Sequence, residues 1–256
     1  MMRAGLFTSR AIWWFDMAKV SSFKERFGTC LFCFGSLFVY IGLISGLSQV
    51  LSSFYAILVA DAVAVTASLL LTRKKTIPFT PRITNAGKAV GLSLAGLVVL
   101  MITIIPSMVF LIWFTHYDFA GASQPTLLTK VLFTCILAPV TEELLFRKLL
   151  YGRSRVYISA RWTMFIVSIC FGILHCDPVR VIPMILFSIV LCFVYEMTGH
   201  VRYTIMMHMF YNVFATFFVP KFMLSVTWIN YLVFFAGIIL AVILETIVSG
   251  QTGERM

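Results

Sequence analysis

The chain has 256 residues, of which 61% are hydrophobic and only 12% charged, and 25 of them are phenylalanine. Soluble domains are roughly half apolar and about a quarter charged, so this composition excludes an ordinary soluble fold and indicates a multi-pass membrane protein. The net charge of +10 is gathered between apolar runs rather than spread over a face, which argues against a nucleic-acid partner.

Residues 1–27 read as a basic, interfacial segment. Arg10-Ala11-Ile12-Trp13-Trp14-Phe15 joins cations to aromatic rings of the kind that settle at a bilayer surface, and no cleavable signal-peptide pattern precedes the first apolar run. Apolar runs of about 20 residues mark spanning helices. They predict an all-α transmembrane bundle of about eight helices, at 28–48, 52–72, 88–114, 127–149, 162–176, 179–197, 203–220 and 225–248. The first three, within 28–126, are peripheral, and a polar loop with Pro78 and Pro81 sets two of them apart. Residues 127–220 hold most of the chemistry-bearing polar residues, and 221–256 make a last helix and tail.

If the helices simply alternate, most Lys and Arg fall on one side. These are Arg3, Arg10, Lys19, Lys24 and Arg26 in the N-terminal tail; Arg73, Lys74, Lys75, Arg82 and Lys88 after the second helix; Arg147, Lys148, Arg153, Arg155 and Arg161 after the fourth; then Arg202 and Arg255. Lys130, Arg180 and Lys221 fall on the other. By the positive-inside rule both termini are then expected in the cytoplasm. The six cysteines, Cys30, Cys33, Cys135, Cys170, Cys176 and Cys192, lie mostly in apolar runs and read as buried thiols. Cys30-x-x-Cys33 has no second pair to complete a metal or redox site.

Against this background Glu142 and Glu143 stand out, because charge near the hydrocarbon core is costly unless it faces a partner or a polar cavity. On a helix Glu143 and Arg147 are four apart and can pair, whereas Glu142 points elsewhere and is available as a base. Pro139 upstream can kink the helix and loosen its packing. His175 follows at the end of the fifth helix. His208 and Asn212, again four apart, give the seventh helix one polar face. The midpoint between 142 and 175 falls in the basic connection 152–161, so Glu142 and His175 are expected level across a helical hairpin, opening on a cytoplasm-facing cavity.

Glu142-Glu143-x-x-x-Arg147, Phe171-x-x-x-His175 and His208-x-x-x-Asn212, in that order on separate membrane helices, resemble the CPBP family, the CAAX prenyl proteases of the Ras-converting type and their bacterial relatives in peptide processing and bacteriocin immunity. The resemblance covers 127–220, and Lys148 departs from the glycine that many relatives carry there. It implies an intramembrane endopeptidase acting on membrane-associated proteins or peptides. Glu142 with His175 would activate water, His208 and Asn212 would stabilise the oxyanion, Glu143 and Arg147 would form a supporting pair, and Phe171 a packing element. No cofactor is expected, although Glu142, His175 and His208 could instead hold a zinc ion. The absence of a His-Glu-x-x-His helix favours the metal-free route. The runner-up is a non-catalytic immunity or transport protein, for which Asp61 and Glu196 would be candidate ion-path residues. The short chain without a retention signal suggests a bacterial plasma membrane.

Overall fold

The computed structural model describes residues 22–72, 79–115, 126–175 and 177–217, with positions 232, 236, 239 and 243. Its described residues form seven helices and no strands. We number them α1 (Phe23–Leu47), α2 (Ser53–Thr72), α3 (Ala86–Thr115), α4 (127–154), α5 (Ala160–Leu174), α6 (Pro178–Thr198) and α7 (Val201–Phe217). Within two or three residues at most ends, these are the runs read from hydropathy, except that α1 starts earlier and α4 extends further. The expected eighth helix, 225–248, lies outside the described residues except at positions 232, 236, 239 and 243, which are helical. Among the described residues, four helices are long and apolar enough to cross a membrane: α1, α2, α3 and α6. Phe38, Val39, Val63, Leu70, Leu94 and Val98 stand exposed along the first three of these. In water such a surface would be unfavourable; in lipid it is the expected outer face.

Local chemistry fixes the helix ends that matter. Ser22 opens α1 with a capping box closed by Glu25. Asp177 caps the backbone N–H of Val179, and Pro178 occupies the first turn of α6, where a missing N–H costs nothing. Gly199 ends α6 in the left-handed region at φ 68°, turning the chain directly into α7.

The core is built on α4 to α7. α5 and α6 form a close antiparallel pair, α3 packs across α6 and α7, and the α1–α2 hairpin lies against α4. Gly172 explains the closeness of α5 and α6. A Cβ there would lie 2.7 Å from the carbonyl oxygen of Val181 and 2.5 Å from Ile185 Cγ1, so only hydrogen fits. α4 is not uniform: two π-helical stretches, Lys130–Leu137 and Leu144–Tyr151, flank an α-helical turn, Ala138–Glu143, that carries both glutamates. π segments are rare and frequent at functional sites.

Of the cations assigned above to the fourth connection, Arg147, Lys148 and Arg153 lie within α4, and two of the five, Arg147 and Arg155, are buried in ion pairs. Arg147 is inside α4 and wholly buried. Arg155, just past its end, is 5% exposed, grips Glu196 of α6 through Nη2 at 2.9 Å and lies over the Phe79 ring. Buried, paired arginines say little about membrane sidedness, so the charge asymmetry rests on the other cations. The described cysteines are free thiols, Cys33 lying 3.2 Å from the Ser154 hydroxyl. Cys176 is outside the described residues.

Candidate active site

Helical phase separates the two glutamates as their positions suggest. Glu143 faces the bundle interior with no exposure, and its Oε1 accepts from Arg147 Nη1 at 2.9 Å. The same oxygen lies 2.9 Å from His208 Nδ1. Because Glu143 is held as a carboxylate by Arg147, it can only accept, so His208 donates from Nδ1 and its Nε2 is left bare in the neutral ring. Arg147 is fixed further by Ser188 of α6, whose Oγ accepts from Nη2 at 3.0 Å, and its guanidinium sits 4.9 Å from the centre of the Phe171 ring.

Glu142 turns away from this pair. Its side chain keeps 18% exposure, and its Oε2 lies 3.8 Å from His208 Nε2. That distance is beyond a hydrogen bond, and Oε2 is buried without a hydrogen-bond partner. A carboxylate oxygen and an imidazole nitrogen therefore face each other, each without a direct bond. The other oxygen of Glu143 is also unpartnered.

His175 caps the C-terminus of α5, its Nδ1 3.0 Å from the Phe171 carbonyl oxygen. A carbonyl cannot donate, so this ring too carries its proton on Nδ1 and presents a bare Nε2. Among the described residues no hydrogen bond joins His175 to Glu142. What links the two imidazoles is Phe171, whose ring centre lies 5.1 Å from that of His175 and 6.1 Å from that of His208. Phe171 also stacks on Phe187 and meets Phe146 edge-on.

Asn212, half-buried one turn beyond His208, donates from Nδ2 to the Thr134 carbonyl oxygen at 2.8 Å. The reason lies in α4. The N–H of Ala138, four residues on, reaches instead to Phe133 in the π register, and the next residue, Pro139, has no N–H. Thr134 thus loses both helical donors, and Asn212 supplies the missing one from α7. One N–H of the Asn212 amide remains available.

Sequence reading did not find Ser188, the second bond of Glu143 to His208, or the Thr134 carbonyl. Ser188 is a small polar residue in an apolar helix, a weak signal shared with many membrane serines. The two residues considered for an ion path both have bundle partners: Tyr40 donates to Asp61, and Tyr151 and Arg155 both donate to Glu196. The donors named for a possible zinc ion, Glu142, His175 and His208, do not form a metal-holding group; none exists among the described residues.

Fold and site together define an integral membrane protein with a polar, acid–base constellation enclosed by α4 to α7. Residues 124–214 match the family model described as type II CAAX prenyl endopeptidase Rce1-like, which bears out the resemblance to the CAAX protease family and supports endopeptidase activity in general. The matched segment spans α4 to α7, every helix that contributes to the constellation. No curated protein and no solved structure matches the chain.

Proposed function

We propose that the chain is an intramembrane endopeptidase in which Glu142 activates water for attack on a peptide bond of a membrane-associated protein or peptide. The observation that carries this reading is the partnerless Oε2 of Glu142, facing His208 Nε2 at 3.8 Å while Glu143 takes all the structural bonds. Glu142 accepts the proton of water as its oxygen attacks the scissile carbonyl, and later delivers it to the leaving amine. His175, with Nε2 bare, assists in orienting that water.

Stabilising the oxyanion requires donors. The remaining N–H of Asn212 is one. His208, oriented by the Glu143 carboxylate on its Nδ1 as the aspartate orients the histidine of a serine-protease triad, is the second, donating when its Nε2 carries a proton. Glu143 then orients His208 as well as holding Arg147. By analogy with the matched family, a prenylated CAAX-type C-terminus is the first substrate to test. The cellular setting we propose is a bacterial plasma membrane with both termini in the cytoplasm, where the substrates are peptide precursors or membrane proteins and the prenylated CAAX-type peptide serves as an assay surrogate.

The test is cleavage of a prenylated CAAX-type peptide by the purified, detergent-solubilised chain. We expect wild-type cleavage, loss of at least about 100-fold in Glu142→Ala, and retention of activity after exhaustive metal chelation. Activity lost on chelation and regained with zinc would overturn the metal-free route. Undiminished cleavage by Glu142→Ala would overturn the assignment of the base.

A further inference from the structure

Helix α6 supplies none of the motif residues, yet its Ser188 meets the buried ion pair. Ser188 is wholly buried, its Oγ accepting from Arg147 Nη2 at 3.0 Å while its carbonyl oxygen lies 3.4 Å from the same nitrogen. Among the described residues Arg147 has hydrogen bonds only to Glu143, on its own helix, and to Ser188; its Nε has no partner. The tie between the ion pair and α6 therefore runs through Ser188.

Four bonded or facing side chains follow from there. Ser188 holds one arm of the Arg147 fork, and the other arm, Nη1, donates to Glu143 Oε1 at 2.9 Å. The same oxygen accepts from His208 Nδ1 at 2.9 Å, and His208 Nε2 faces Glu142 Oε2 at 3.8 Å. A guanidinium is planar and rigid, so pinning one arm sets the direction of the other. Ring contacts do not replace this. Phe187 meets the His208 ring edge-on at 4.8 Å and Phe171 does so at 6.1 Å, which bounds the imidazole without choosing where its nitrogens point. That choice comes from Glu143 Oε1, whose own place is set by Arg147.

We propose that Ser188 is a positioning residue for His208, acting through Arg147 and Glu143. This deepens the protease reading and rests on His208 serving the reaction at Glu142. Ser188 takes no part in proton transfer. Its hydroxyl holds Arg147, so that Glu143 stays under Nδ1 and Nε2 stays aimed at the Glu142 side chain. Donors act in a transition state only when they are already in place, and a shift of about 1 Å can cost about 100-fold in rate.

Ser188→Ala removes the hydroxyl and little volume, and leaves the carbonyl oxygen as a poorer acceptor. In the full chain, cleaving the prenylated CAAX-type peptide, we expect kcat to fall about tenfold with KM within about twofold, since the lost bond acts on orientation and not on binding. Ser188→Cys fills the same space with a weaker acceptor and should fall between the two. An unchanged kcat in Ser188→Ala, or a change in KM alone, overturns the proposal. Cleavage weaker in Ser188→Cys than in Ser188→Ala would trace the loss to packing and also overturn it. A second measurement needs no activity: the Nδ1–H proton signal of His208 in histidine-labelled protein in detergent, assigned by its loss in His208→Gln. The signal should shift and exchange faster with solvent in Ser188→Ala; an unchanged signal overturns the relay. A shifted signal in a chain that cleaves no peptide would sustain the relay and count against the protease reading alone.

Discussion

At the residue scale the pivotal group is Glu143, buried completely and bound by two partners from different parts of the chain. Its bond to Arg147 was legible from the spacing of four, because helical geometry alone brings those side chains together. Its bond to His208, sixty-five residues away, was not, because it depends on how α7 packs against α4. A buried ion pair contributes little net stability when intact, yet removing one member strands a charge. Arg147→Ala should therefore destabilise the protein by about 3–5 kcal/mol, read as a lowered unfolding midpoint in detergent. Arg147→Lys should recover only part of this, since an ammonium cannot reproduce the planar fork that spans Glu143 and Ser188. A variant as stable as wild type would show that the buried pair is not what fixes this end of α4.

The α4 helix carries the next lesson. Pro139 was visible in the sequence as a residue that loosens a helix. Its consequence, a carbonyl at Thr134 with no helical donor, was not, since hydropathy does not report a π register. Asn212 fills that gap, adding to the His208–Glu143 bond a second side-chain bond between α7 and α4. Asn212→Ala should lower the unfolding midpoint by the equivalent of about 1–3 kcal/mol, because the Thr134 carbonyl, at an outer, lipid-facing position, is left without a donor. Restoring an N–H with Pro139→Ala should recover much of that loss in the double variant. Losses that simply add would show that the two residues act independently. Gly172 poses a similar test between α5 and α6. Gly172→Ala must push the helices apart against the Val181 carbonyl, moving Phe171 and His175, and activity should fall further than stability does.

For the whole molecule, hydropathy reported the helices well, because a bilayer imposes both length and composition on them. The charge pattern was read less surely, since Arg147 and Arg155 proved to be internal ion-pair members rather than loop cations. Glu196 belongs to that second cluster, with Arg155 and Tyr151. Glu196→Ala should destabilise the chain by about 3 kcal/mol without selective loss of catalysis, as expected of a brace between α4 and α6. The candidate site was legible as a set of residues on three helices. Helical phase had already paired Glu143 with Arg147 and left Glu142 free; what only the fold supplied was the second bond of Glu143, to His208. The central claim is that cleavage depends on Glu142. It is tested most directly by comparing membrane-fraction peptides from cells carrying wild-type protein with those from cells carrying equally abundant, membrane-inserted Glu142→Ala. The account predicts a set of cleavage products present with wild type and absent with the variant; identical products in both would contradict it.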